Sequence, residues 1–284
     1  SMKWLWIGQD MSESASISEA MLAQRVVADL AVITSTLLVR QTKQLAFGFN
    51  SQESLATQPV GYEDLTQVFD KTPGLISDKL KAVLEFVWYS IPPGAVSGIV
   101  FAYDEAQNLA DHHKKEQLPL SLMLDVFGSV QRRGIPYLLI LTGLPTLFPK
   151  LVEARTYSER MFHTIFLKQL DEDSSREAIV KPIEDALCPI QFSTETVDSI
   201  IEMSGGYPYF IQFVCREIFD AWLTQLDNGG EPSVPVLEIT RRLDNDFFVG
   251  RWAKATDRQR ELMQIIATLP NCEQEFTVQE VVNT

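Results

Sequence analysis

The sequence predicts an α/β fold built on a parallel sheet with helices on both faces, followed by an all-helical region. Three observations predict it. Segments 98–103 and 136–141 are continuously apolar and lack the polar alternation of a half-exposed strand. Amphipathic helical periods lie before and between those strands, which is the pattern of strand–helix–strand crossovers. From about Asp171 onward only helical periods remain.

The elements follow in order. Residues 3–8 form a short apolar strand, followed by a Ser-rich turn. Residues 18–38 place Met21, Leu22, Val26, Leu30 and Ile33 at helical spacing. Residues 44–50 read as a short strand, and 51–73 as a polar stretch with two prolines. The helix over 77–90 carries Leu80, Val83, Leu84, Val87 and Trp88 on one side, and Pro92-Pro93-Gly94 stops it. The strand over 98–103 ends in Asp104-Glu105. The helix over 118–133 closes at Gly134. The strand over 136–141 follows, and 163–167 reads as a third fully apolar strand. Helices are then expected over 174–187, with Ser174 and Glu177 at capping-box spacing, over 194–204, ended by Gly205-Gly206, and over 208–226. Residues 227–235 form a Gly/Pro-rich turn. A helix over 256–269 starts at the cap Thr256, and Thr277-x-x-Glu280 caps one more.

Composition excludes several classes. The 284 residues carry 24 Lys+Arg and 38 Asp+Glu, a net charge of -14, the opposite sign to a generic nucleic-acid-coating protein. No apolar run approaches the roughly 18 residues that span a bilayer, so no membrane partner is expected. The first residues lack the basic start and long apolar core of a signal peptide. Cys188, Cys215 and Cys272 are scattered, form no CxxC pair and fit a reducing compartment, so the expected localisation is cytoplasmic. His112-His113 beside Lys114-Lys115 reads as a solvated loop, since a metal site needs further ligands at fixed geometry. Gly-x-Ser-x-Gly does not occur.

In an open parallel sheet, ligands sit beyond the carboxyl ends of the strands. Two such ends carry chemistry here. The strand 98–103 delivers Asp104 and Glu105, one suited to a Mg²⁺ held on nucleotide phosphates and the next to polarising a water. Asp104 would equally serve as a helix cap. The strand 136–141 ends in Thr142-Gly143-Leu144-Pro145, a hydroxyl that either contacts a phosphate or the attacking water, or caps the following turn.

Taken together, the Asp-Glu strand, the Thr-Gly-Leu-Pro strand, Tyr157-Ser-Glu-Arg160-Met-Phe and Gly205-Gly-Tyr-Pro208 resemble the AAA+ ATPases, close to their archaeal-type, origin-recognition-like and signal-transduction branches. The resemblance runs from about Lys3 to Trp252. It implies a partial P-loop NTPase fold that uses ATP and Mg²⁺, and an ATPase that couples ATP binding and hydrolysis to conformational change in a partner. In that family pattern Asp104 is the metal-linked acid and Glu105 the catalytic base of the Walker B pair. Thr142 is the sensor 1 residue. Arg160, with Arg155 as the weaker candidate, is the arginine finger that reaches a neighbouring subunit's nucleotide, so self-association is implied. Gly206 and Pro208 belong to the turn where the helical lid meets the adenine. Arg160 would also serve as a solvated helix-end charge, Gly205-Gly206 as a helix C-cap, and Asn108 as a structural cap.

One departure is decisive. A phosphate loop needs a glycine-rich turn ending Gly-Lys-[ST], and none of the 14 glycines here is followed by lysine. The expectation is that this chain alone binds ATP poorly and leaves a gap in the sheet interior, or belongs to a longer gene product. The alternatives are a catalytically inactive interaction module that retains the fold, or a DNA-binding regulator acting through a winged helix. The expected domains are a nucleotide-binding core over 1–170, a helical lid over 171–250, and the start of a winged helix over 251–284. That last segment is not basic, so DNA binding would fall to a further C-terminal region.

Overall fold

The computed structural model describes residues 3–44, 54–188, 191–229, 233–270, 272 and 276–282. The chain divides into two compact units, Ser1–Thr164 and Ile165–Thr284.

The first unit contains β1 (Trp4–Asp10), α1 (Glu19–Leu37), the antiparallel pair β2 (Val39–Gln44) and β3 (Ser54–Pro59), α2 (Tyr62–Lys71) and α3 (Ile76–Ser90). It continues with β4 (Gly98–Asp104), α4 (Pro119–Arg132), β5 (Tyr137–Leu141), α5 (Leu147–Ala154) and α6 (Ser158–Met161). The expected strand over 44–50 lies, beyond Gln44, outside the described residues. The stretch 51–73 is more ordered than its polarity predicts. It supplies β3 and α2, and the Asp64 carboxylate accepts from the Gly61 N–H at the start of α2 (3.0 Å).

The main sheet is parallel, in the order β1-β4-β5. The Asp-Glu strand β4 is therefore central, with a partner on each side. Among the described residues the three strands are contiguous and β5 lies at an edge.

Alternation along β4 sends Ile99, Phe101 and Tyr103 to one face. All three are buried. Phe101 meets Phe127 of α4 edge-on at 4.9 Å and Tyr137 of β5 at 5.4 Å. The Tyr137 hydroxyl donates to the Leu84 carbonyl of α3 (2.9 Å). The long helix α1 is capped by Ser18, whose Oγ accepts from the Met21 N–H (3.2 Å). It buries Leu22, Val26 and Leu30 on this same side. By length and composition α1 would pass for a membrane span, although no uninterrupted apolar run in it reaches that length. Its apolar stripe is spent on this core.

The opposite face is covered unevenly: Val100 is buried there, while other side chains are open. Its residues include Trp4, Trp6 and Leu138, which remain 44%, 63% and 46% exposed. The Trp4 ring lies across Gly98, where a Cβ would come within 2.3 Å of it. The expected third apolar strand fails. Residues 163–167 form no strand, and Ile165, Phe166 and Leu167 are exposed. An apolar run becomes a strand only when a sheet edge takes up its backbone groups.

The second unit is helical: α7 (Glu172–Asp185), α8 (Thr194–Ser204), α9 (Pro208–Asp227), α10 (Val236–Leu243), a π-helical turn (Asp244–Phe248), α11 (Val249–Lys254), α12 (Asp257–Ala267) and α13 (Val278–Val282). Ile179, Val197, Ile200, Ile211, Val214, Ile218, Trp222 and Ile239 form its core. Asp171, not Ser174, caps α7. Its carboxylate accepts from the Ser174 N–H (2.8 Å), which starts the helix two residues earlier than the sequence spacing predicts. Thr256 caps α12 as expected, accepting from the Gln259 N–H (3.3 Å). Thr277 Oγ1 accepts from the Glu280 N–H (3.3 Å) at α13.

Candidate functional site

The site is built at the carboxyl ends of β4 and β5. Pairing of the strands places Asp10 beside Asp104 and Tyr103 beside Leu141. Below this edge, Tyr103 is anchored. Its hydroxyl donates to Asp29 Oδ2 on α1 (3.1 Å), and Arg25 Nε donates to the same carboxylate (3.1 Å). Arg25 also donates to Gln9 of β1. One helix thus holds the residues that precede Asp10 and Asp104. Burial pushes the Asp29 carboxyl up, against the pull of Arg25 and Tyr103. Burial and the nearby Asp29 push the Tyr103 phenol well up.

Asp104 is exposed, and its Oδ1 accepts from Thr142 Oγ1 (2.7 Å) and from the Glu105 N–H (2.8 Å). The Thr142 hydrogen bond, then the backbone one, hold its carboxyl below the usual range, so it is ionised at neutral pH. The loops after the two strands are laced together. The Thr142 N–H donates to the Tyr103 carbonyl (2.9 Å), and the Ala106 N–H to the Thr142 carbonyl (2.9 Å).

Glu105 has φ +53° and ψ +30°, a left-handed conformation that a non-glycine residue adopts at a cost of roughly 1–2 kcal/mol. Strained backbone of this kind clusters at functional sites. The surroundings hold it. The Gln107 side-chain amide donates to the Glu105 carboxylate, and Gln107 Oε1 accepts from the Leu144 N–H (3.1 Å). Lys150 Nζ donates to the Gln107 carbonyl (2.6 Å). A Cβ at Gly143 would meet Gln107 Oε1 at 2.2 Å, so the glycine makes room for this clamp.

The structure therefore brings Asp104, Glu105 and Thr142 together. Thr142 bonds the carboxylate rather than merely capping its own turn. Asn108 is a structural tie: its Nδ2 donates to the Met11 carbonyl (2.9 Å). Arg155 is held by Asp125, with Nη2 to Oδ2 at 2.6 Å and Nε to Oδ1 at 3.2 Å, and Tyr157 donates to the same carboxylate. That network ties Arg155 to Asp125. Arg160, on α6, is exposed and makes no ion pair among the described residues. Gly206 and Pro208 belong to the second unit. Gly205 is the left-handed C-cap of α8, and the Gly206 carbonyl accepts from the Leu170 N–H (2.8 Å). A Cβ on Gly206 would strike the Leu170 oxygen at 2.3 Å, so close backbone contact accounts for this glycine. Pro208 occupies the first turn of α9.

Gln107 and Lys150 were not singled out from the sequence. Their signal was positional: Gln107 follows the acidic pair by two residues. His112 is a local tie, its Nε2 lying 3.2 Å from the Ser16 carbonyl oxygen. Among the described residues no group of three or more His, Cys, Asp or Glu is placed to hold a metal ion.

No family model matches the sequence, and no curated protein matches it. Among solved structures, the chain is similar to the Walker-type ATPase PABY2304 of Pyrococcus abyssi, with a TM-score of 0.52 and 16% identity. The match covers 92% of this chain and 67% of that one. At that identity the likeness shows the fold: a P-loop ATPase-like α/β arrangement.

Proposed function

We propose that this chain is an AAA+-type ATPase, or the part of one that carries its catalytic carboxylates, coupling ATP binding and hydrolysis to conformational change in a partner. One observation carries this reading. Two neighbouring strand tips join an ionised Asp104 to the Thr142 hydroxyl, with Glu105 turned outward beside them by a strained backbone.

The donor set fits a nucleotide-bound Mg²⁺. Asp104 is exposed and anionic, and both of its hydrogen bonds use Oδ1, leaving Oδ2 open among the described residues. Asp104 would hold the ion through a water ligand, and Mg²⁺ would neutralise phosphate charge there. Glu105 would accept a proton from the attacking water. Its positive φ, the Gln107 amide and the backbone lacing fix where its carboxylate starts. Thr142 would orient Asp104 through the 2.7 Å bond. The phosphate-cradling loop has no counterpart in the sequence, since no glycine precedes a lysine. That observation favours a second reading, an interaction module that keeps the fold without turnover.

Arg160 suits a finger acting on a neighbouring copy, because it is exposed and unpaired among the described residues. The test of the first reading is phosphate release from Mg·ATP by wild type and Asp104→Asn. Turnover should fall at least tenfold in the variant, with the residual activity demanding more magnesium. Equal, magnesium-independent release by both proteins would reject the site. No release by the wild-type gene product would support the interaction module.

A further inference from the structure

The second unit carries an aromatic surface that its core does not use. Phe247, in the π-helical turn, has two close neighbours: the Arg251 guanidinium lies 3.4 Å from its centroid, and the Tyr209 ring lies 5.1 Å away, tilted by 36°. Phe210 and Phe248 close the group edge-on at 5.1 and 4.9 Å from Phe247. Tyr209 is 55% exposed, so this aromatic cluster reaches the surface there. A π-helical turn inserted in a helix is itself a recurrent mark of functional positions.

The segment carrying Phe247 and Arg251 is locally richer in cations than the chain as a whole, even with Glu238 and Glu261 at its ends. From Arg241 to Arg260 there are six cations (Arg241, Arg242, Arg251, Lys254, Arg258 and Arg260) and three carboxylates (Asp244, Asp246 and Asp257), within a chain of net -14. Arg242 is paired with Glu217 and Glu238, and Arg260 with Asp257. Arg241, Arg251, Lys254 and Arg258 form no ion pair among the described residues. A cleft of about 370 Å³ is lined by Arg241, Arg242 and Asn245, together with Glu238 and Leu237. Screening over roughly 10 Å at ordinary ionic strength separates this local excess from more distant acidic residues.

An open stacking face selects a planar, π-rich ligand, and unpaired cations select an anionic one. A base attached to a phosphate backbone meets both requirements, and a duplex hides the faces of its bases. We propose that the surface formed by Tyr209, Phe247, Phe248 and Arg251, with the cations Arg241 and Lys254 on the flanking helices, binds single-stranded nucleic acid. The bases stack on Tyr209 and the phosphates lie along the cations. This proposal is independent of ATP turnover.

The test is fluorescence anisotropy of a fluorescein-labelled oligo-dT with the intact chain, without ATP or magnesium, at 50 and 300 mM salt. The oligonucleotide should bind at the lower salt and weaken steeply at the higher. Tyr209→Ala should weaken binding about fivefold or more, and Tyr209→Phe should bind as wild type does. Lys254→Glu should weaken it and reduce the salt dependence, while Lys181→Glu, on α7, should change nothing. Binding that is absent at 50 mM salt overturns the proposal. So does equal weakening by Lys181→Glu and Lys254→Glu, or a duplex that binds as tightly as the single strand. Displacement of the oligonucleotide by an equal concentration of a polyglutamate peptide would mark an acidic protein partner instead.

Discussion

The two faces of the main sheet are built from the same strands and treated oppositely. On one, Ile99, Phe101 and Tyr103 are sealed beneath α1, α3 and α4, and even the polar groups there are paired: Tyr103 with Asp29, Tyr137 with the Leu84 carbonyl. On the other, Trp4, Trp6 and Leu138 stand in the open. Parallel sheets ordinarily have both faces covered. The difference teaches that the stability of this unit rests on one face. At the strand tips the alternation divides the functions too: Tyr103 anchors inward, and the next residue, Asp104, is free to work outward.

The largest effect expected from this contrast is on the sealed face. Phe101→Ala should destabilise the unit by roughly 3–5 kcal/mol in urea denaturation, because it removes a ring packed on two others. A loss below about 1 kcal/mol would mean that the aromatic core is not the keystone described. At the tip, Glu105→Gly should stabilise by about 1 kcal/mol, since glycine adopts φ +53° without strain, while abolishing turnover. Destabilisation by that change would show that the Gln107 clamp outweighs the strain. On the open face, Trp6→Lys should shift stability by no more than about 0.5 kcal/mol. A large loss would mean that Trp6 is covered in solution.

The smallest effect is a pH dependence. The folded Asp29 carboxyl is raised above its ordinary value of 3.8 by burial. The folded state therefore holds a proton that the unfolded state releases. The contribution of Asp29 is most favourable below that ordinary value and declines as pH rises through the folded one. Asp29→Asn should lose this slope and so gain on wild type with rising pH, as followed by thermal melts across mildly acid to neutral pH. Parallel stability curves for the two proteins would show that Arg25 and Tyr103 fully offset the burial.

Much of this was legible in the sequence, and the failures have physical causes. Continuous apolar strands announce β1, β4 and β5, Thr256 announces its cap, and Asp104, Glu105 and Thr142 stand out because strand ends are where such sheets expose chemistry; the structure brings the three together. The run 163–167 misled because strand propensity says nothing about whether an edge is there to pair with it. Helix α2 was hidden by its polarity, since it buries Leu65 and little else. The network under the site is not legible in the sequence, because Arg25 and Asp29 stand four apart on one helix and only packing places Asp29 against Tyr103. Arg155 and Arg160 are indistinguishable by residue type. Asp125, thirty residues before Arg155, separates them.

The account is tested most directly by replacing the residue assigned as base. In the natural gene product, Glu105→Gln should leave binding of a fluorescent ATP analogue within about twofold of wild type and slow phosphate release by two orders of magnitude or more. Unchanged turnover in Glu105→Gln would contradict the site at the tips of β4 and β5.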